Sequence, residues 1–239
     1  MLKGFKSTSL SKSLIVFAFL LFFELNVCRF EALAGDNITV FVQPESNVVV
    51  LDAVVTVNVS ITNVPSDGLW SYAFRLFYSN TVLEGINVTL PEDHFLTPEQ
   101  PGNIFVVECR VNQTEGKVAV AVTLLGDEPG KVGNGTLVVI TFKAKSAGRS
   151  TLSIPYPILV PPYSYQYQDV DVLDGLVEVV SPDLNSDGEA NTDDLILQAT
   201  AFGSRPEDSR WNPIADVNKD DVINIIDVAL IARNYGKTF

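Results

Sequence analysis

From Asn37 to Val180 apolar and polar positions alternate in short runs separated by turn residues. In Val54–Ile61, Val55, Val57, Val59 and Ile61 fall on one side and Asn58 on the other, the two-residue period of a half-buried strand. Trp70, Tyr72, Phe74, Leu76 and Tyr78 repeat the pattern, and Phe105, Val107, Cys109 and Val111 share one face of a further run. Lys117–Leu125, Leu137–Lys145, Thr151–Ile154 and Val170–Val180 read as four more strands. Asp67-Gly68, Gly126-Asp127, Gly133-Asn134-Gly135 and Ala147-Gly148 supply the breaks. Roughly nine strands at this spacing predict a two-sheet sandwich, and about 145 residues are enough to bury a core. Beyond Pro182 the period changes. Leu195, Ala199 and Phe202 stand at helical spacing with Gly203 after them, and Val228, Ile231, Ala232 and Tyr235 do so before Gly236.

Each predicted helix is preceded by an acidic loop, and the two loops repeat with a 33-residue period. Asp183, Asn185, Asp187 and Asp194 occupy positions 1, 3, 5 and 12 of the first, and Asp216, Asn218, Asp220 and Asp227 those of the second. This spacing lets a twelve-residue loop wrap one hard cation in about six or seven oxygens, with the position-7 carbonyls of Glu189 and Val222 completing each set. Two calcium ions are therefore expected, since magnesium resists giving up its waters to an all-protein cage. Asn191 and Asn224, at position 9, can cap the following helix and hold a metal-bound water. The simpler reading is a pair of acidic turns that cap two helices. Asp221 stands at position 6 of the second loop, where positive φ is wanted and Gly188 serves in the first.

Composition narrows the chemistry. The chain carries 29 acidic and 16 basic residues, a net charge of −13, so phosphate backbones and anionic lipid are repelled. One histidine, His94, and two cysteines, Cys28 and Cys109, exclude a His-cluster metal centre, a Cys-type zinc site and a multi-disulfide scaffold. A glycosidase needs two carboxylates about 5–10 Å apart in a cleft. Glu92-Asp93 and Asp127-Glu128 read instead as solvated loop charge, and no nucleophile–base pair surrounds His94, so no catalytic residue is assigned.

Residues 1–34 read as a secretory signal: a basic, Ser-rich start, the apolar core Leu14–Phe23 and the small-x-small end Ala32-Leu33-Ala34. The alternative is an uncleaved anchor, but that core is shorter than the ~20 residues a span requires. The mature chain is then expected outside the cell or on its surface, with only Cys109 left as a buried thiol. Five Asn-x-Ser/Thr sequons begin at Asn37, Asn58, Asn87, Asn112 and Asn134, all before the acidic repeats.

Gly68–Leu83, in which an apolar strand leads to Asn80-Thr81-Val82-Leu83, resembles the early strand of cohesin domains. Gly135–Lys145, followed by Gly148 and Leu152, is similar to their late strand pair. The resemblance implies a nine-stranded jelly roll over residues 35–180 that binds dockerin modules, an architecture shared with a family of cellulose-binding modules. Loop-then-helix, twice, with Pro182 and Pro213 opposing any entering helix, resembles a dockerin over residues 181–239. That resemblance implies a small all-α module with two F-hand calcium loops that plugs into a cohesin, with recognition positions at Thr192 and Asp193 in one repeat and Ile225 and Ile226 in the other. The combined expectation is a mainly β, secreted, non-catalytic adaptor for calcium-dependent cohesin–dockerin assembly in a polysaccharide-processing or cell-surface complex. The alternative is a carbohydrate-binding β module delivered by a dockerin. Tyr163, Tyr165 and Tyr167 alternate with polar residues and could stack on pyranose rings, or else cover a sheet edge as an irregular, Pro-flanked loop.

Overall fold

The structure is a computed structural model that describes residues 37–239; the expected signal segment 1–34 lies outside the described residues. The alternation at Val54 forms β3 (Val54–Leu69), with Val55, Val57, Val59 and Ile61 all buried. It pairs antiparallel with β1 (Ile38–Gln43) and β8 (Lys131–Ala144). With β5 (Leu83–Thr89) and β11 (Val170–Leu173) they make a five-stranded sheet of order β11-β1-β3-β8-β5. Facing it are a four-stranded sheet, β10-β4-β7-β6, built from β4 (Ser71–Phe77), β6 (Ile104–Asn112), β7 (Lys117–Leu124) and β10 (Ile158–Val160), and a three-stranded sheet, β2-β12-β9, built from β2 (Ser46–Val50), β9 (Gly148–Leu152) and β12 (Gly175–Val180). A bridge between Phe77 and Ser153 joins these two.

Leu76, Leu83, Leu96, Leu137, Ile140 and Phe142 fill the space between the layers, each worth about 1.5–3 kcal/mol of burial. Tyr72 donates its hydroxyl to the Leu137 carbonyl at 2.9 Å, so its polar tip is satisfied in an apolar setting. Tyr78 meets Phe142 edge-on, ring centroids 5.0 Å apart.

The strand count exceeds nine because two strands change sheets. β1 runs parallel to β11 in one layer; the chain then crosses at Pro44-Glu45 and Asp174, and β2 runs parallel to β12 in the other. Pro44 lacks the N–H a ladder needs, and Asp174 accepts from the Ile154 N–H at 3.0 Å, so both crossings are places where pairing cannot continue unaltered. Counting each switched pair once leaves ten, one more than the expected nine, the extra being the three-residue β10 at the edge of the four-stranded sheet.

Three local expectations are corrected. Asp67-Gly68 and Gly133-Asn134-Gly135 do not end strands; they lie inside β3 and β8 as register shifts of the ladder between them. At Gly68 φ is +73° and an added Cβ would sit 2.7 Å from the Gly130 Cα, so the glycine lets two backbones touch. The third correction lies in β6. A bulge between Val106 and Glu108 inverts the phase, so Phe105 points outward with Glu108 while Cys109 and Val111 point to the core.

After β12 come α1 (Thr192–Ala201) and α2 (Ile225–Ala232). Their buried faces run through Asp194, Gln198 and Ala201, and through Asp227, Ile231 and Asn234, whereas Ala199, Phe202, Ala232 and Tyr235 face outward. The expected stripes are thus rotated: the loop-closing aspartate must turn inward to hold its loop, and that sets the phase of each helix. No helix enters either loop among the described residues. The expected boundary at 180/181 falls at the end of β12, but apolar contacts cross it. Val50, Ala53 and Val180 pack with Leu184, Ala201, Val217, Ile223 and Ile231 in a second core, and residues 37–239 form one compact unit.

Candidate functional site

The four-stranded sheet is apolar on its inner face and carries a small apolar patch among charged residues on its outer one. Inward, Tyr72, Phe74 and Leu76 of β4 and Val118, Val120 and Val122 of β7 enter the core. Outward, one row across the sheet reads Ile158–Ala73–Ala121–Glu108, and Arg75, Ala119 and Arg110 form the next. The alanines keep this face low, and Ile158, Phe77 and the 86% exposed Tyr156 stand over a shallow depression of about 360 Å³. Arg75 and Glu108 bring opposite charges to its floor and rim. A broad, shallow, apolar surface with a charged border suits a protein partner better than a small substrate. Sequence reasoning did not single out these residues. Their signal was present: β7 is apolar at every position from Val118 to Val122, with small residues on one side.

The acidic residues of the loops around the sheets do structural work. Glu128, expected in solvent, is buried; its carboxylate accepts the backbone N–H groups of Glu99 (2.7 Å) and Gln100 (2.9 Å) and the Asn103 amide (3.0 Å). These bonds, led by that from Glu99, hold its carboxyl below the usual range. His94 accepts the Leu96 N–H on Nδ1, and burial lowers its pKa. The Cys109 Sγ–H lies 3.6 Å from the Val88 carbonyl, and burial pushes the thiol up, away from a nucleophilic thiolate.

The tyrosine row is broken. Tyr167 turns inward, its hydroxyl donating to the Gly68 carbonyl at 2.9 Å and its N–H to Leu159 at 2.9 Å, so it anchors the loop. Tyr163 and Tyr165 remain 97% and 93% exposed, but the segment has no strand geometry to align them.

The acidic repeats fold alike. Asp183 accepts the N–H groups of Asp187 (3.1 Å) and Gly188 (2.8 Å), and Asp216 accepts those of Asp220 (3.2 Å) and Asp221 (3.1 Å). Asn185 and Asn218 accept from Asp187 and Asp220, which in turn accept from Glu189 and Val222. Asp194 receives three N–H bonds, from Leu184, Asn185 and Asn191, and Asp227 the equivalent three, from Val217, Asn218 and Asn224. Asn191 and Asn224 are the N-caps of α1 and α2, each in a full capping box with the position-12 aspartate, as the sequence predicts. Positions 4 and 6 are left-handed in both loops, at Ser186 and Gly188 and at Lys219 and Asp221.

Each loop offers only oxygen donors, the type a hard cation takes. Asp194 and Asp227 are fully buried, and neither has an ion pair among the described residues. Burial raises the Asp216 pKa, and the Asp227 charge adds to the effect. Lys219, the nearest base in sequence, donates to the Pro213 carbonyl. Among the described residues no three His, Cys, Asp or Glu side chains converge as a metal cluster; the carboxylates are turned to backbone N–H groups, and the Val222 carbonyl accepts from the Asn224 amide. Of the expected recognition residues, Asp193, Ile225 and Ile226 are exposed, and Thr192 is hydrogen-bonded to Tyr235 at 2.8 Å.

Residues 40–158 match the family model of the cohesin domain. This segment is a cohesin domain. Cohesin domains are non-catalytic modules of protein–protein interaction. Among solved structures, the chain is similar to the third cohesin of ScaC from Acetivibrio cellulolyticus, solved in complex with the ScaB dockerin: 16% identity, TM-score 0.48, covering 59% of this chain and 98% of that one. A non-cellulosomal cohesin from the hyperthermophilic archaeon Archaeoglobus fulgidus gives 18% and 0.47 over 61% and 92%, and the seventh ScaB type I cohesin of Pseudobacteroides cellulosolvens 21% and 0.46 over 61% and 93%. No curated protein matches the chain. Among the described residues no helix is long and apolar enough to cross a membrane.

Proposed function

We propose that this protein is a secreted, non-catalytic adaptor whose cohesin domain receives the dockerin of a partner on the outer face of the four-stranded sheet. The observation that carries the reading is the row Ile158–Ala73–Ala121, closed by the charged Glu108, a low apolar strip outside a sheet whose other side is already core. Apolar surface of this kind is stabilised by covering it, and Arg75 and Glu108 would set the partner's register. Residues 181–239 act as a dockerin-like module: two calcium ions, held by Asp183, Asn185, Asp187, Glu189 and Asp194 and by Asp216, Asn218, Asp220, Val222 and Asp227, fix the loops, and α1 and α2 present Asp193, Ile225 and Ile226 to a cohesin of another protein. When bound, each cation neutralises its loop's carboxylates; the chain's own residues cap the helices and keep the exposed isoleucines in place. Cohesin domains occur in extracellular scaffoldins, which supports a place in a polysaccharide-processing or cell-surface complex.

The test is titration calorimetry of residues 35–239 against a panel of dockerins, with Ala121→Arg as the variant. Ala121 is half-buried on the outer face, so an arginine there should abolish binding and leave the melting temperature unchanged. Failure of every dockerin to bind, or undiminished binding by the variant, would overturn the reading. A second reading, a carbohydrate-binding module, is favoured by the exposed rings of Tyr156, Tyr163 and Tyr165; retention on insoluble polysaccharide without dockerin binding would select it.

A further inference from the structure

The five sequons fall very unevenly on the two layers. Asn37, Asn58, Asn87 and Asn134 belong to the five-stranded sheet or its end, and only Asn112 lies on the other layer, at the close of β6. Transfer of a glycan to a folded chain needs the asparagine Nδ2 and the hydroxyl two residues on to be reachable together. Three sequons fail this. Thr39 is buried after Asn37, and Ser60 is 1% exposed after a half-buried Asn58. Asn112 is tied at both ends, its Nδ2 donating to Glu115 Oε1 at 2.9 Å and its Oδ1 accepting the Glu115 N–H at 3.2 Å.

The other two pass. Asn87 and Thr89 are both exposed, and Asn87 uses only Oδ1, accepting the Val88 N–H at 2.9 Å. Asn134 is exposed between Gly133 and Gly135, and Thr136 is half-buried. Its Oδ1 accepts from the Thr62 hydroxyl at 2.6 Å and the Asn63 N–H at 2.9 Å, which fixes the amide with Nδ2 turned away from those partners. We infer that Asn87 and Asn134 carry N-linked glycans in the mature protein, an assignment that rests on the proposed export. In the transfer, Nδ2 attacks the anomeric carbon of a lipid-phosphate-linked oligosaccharide. The new C–N bond replaces the C–O bond to phosphate, the lipid phosphate leaves with the electron pair, and one amide proton goes to solvent.

Placement gives the modification a use. Asn87 lies just past a register shift in β5, the edge strand of its sheet, beside the exposed Ile86. An edge strand is a template for pairing with another chain, and a bulky, hydrated glycan there blocks it. Asn87 shares an outward row with Thr141 and Thr56, on the layer opposite the proposed partner face. The sugars therefore coat one layer and leave the other clear.

The test is peptide mass spectrometry of the protein isolated from the organism that makes it, with enzymatic deglycosylation in ¹⁸O water to mark each former attachment site. Glycans on Asn87 and Asn134, with Asn37, Asn58 and Asn112 unmodified, are expected. A chain that begins at Gly35 with both asparagines bare overturns the glycan assignment alone. Glycans confined to Asn37, Asn58 or Asn112 overturn the accessibility argument. A chain that still begins at Met1 overturns the export reading and the glycans with it.

Discussion

The backbone N–H of Gly236 donates to the Ala190 carbonyl at 2.7 Å, and Ala190 returns its own N–H to Lys237 at 3.0 Å. The same exchange recurs in the other half of the repeat, where Gly203 donates to Ile223 at 2.8 Å and Ile223 donates to Ser204 at 3.1 Å. Each helix thus ends on position 8 of the other repeat's loop, at a glycine with φ of +79° that reverses the chain. Neither loop can open without loosening the end of the opposite helix.

A chain ending at Tyr235 should therefore lose calcium affinity chiefly in the first loop. It forfeits the two bonds at Ala190 and the 2.9 Å bond from Phe239 to the Gly188 carbonyl, partly frayed at a terminus. A net loss of about 1.4 kcal/mol corresponds to roughly tenfold in affinity. Calorimetry in which the first site is unaffected would remove the terminal pairing from any role in the loop.

Replacing Asp221 by glycine should tighten the second loop. Asp221 is held at φ +63°, where a side chain costs about 1 kcal/mol and glycine nearly nothing. The expected gain is about fivefold in calcium affinity. Unchanged or weaker binding in Asp221→Gly would mean that the aspartate's charge outweighs its backbone cost.

Acid should release the segment around Glu99 before the sandwich unfolds. The folded Glu128 carboxyl titrates below the ordinary glutamate value of 4.5, because N–H groups bind its charged form. Its stabilisation is complete above that value and is lost as pH falls through the depressed folded value. Protection of the Glu99 and Gln100 amides against hydrogen exchange, taken relative to the free-chain rate at each pH, should fall in that window. In Glu128→Gln that protection should already be low at neutral pH and should not change further on acidification; a loss of protection with acid that survives in the variant would point to another group.

Tyr72→Phe should lower stability by about 1–2 kcal/mol with no change in fold. The lost hydroxyl leaves the Leu137 carbonyl without its buried partner, while the ring still fills the same space beside Phe74. Chemical denaturation gives the number directly, and a variant as stable as the parent would show that water reaches that carbonyl.

Much of this protein is determined by local pattern. Side-chain period and apolar spacing placed Val55, Val57, Val59 and Ile61 in the core and the caps at Asn191 and Asn224, because a strand's two faces and a helix's first turn depend on neighbours in sequence. The 33-residue repeat is legible in the sequence, and the two loops share one hydrogen-bond network because Asp194 and Asp227 reach back over only ten residues. Tertiary structure decided what depends on residues far apart. Gly68 is a contact between β3 and the Gly130 backbone rather than a turn, a distinction no short window contains. The bulge in β6 inverted the face of Phe105, Tyr167 was drawn inward by the Gly68 carbonyl, and Glu128 was buried by amides some thirty residues earlier. The row on the outer face of the four-stranded sheet needs four strands to come together, and the second core gathers Val50 with Ile223 and Ile231, residues far apart in the chain. Local periodicity states which side of a strand is apolar; only the assembled sheets decide whether that side meets core, a neighbouring backbone or a partner.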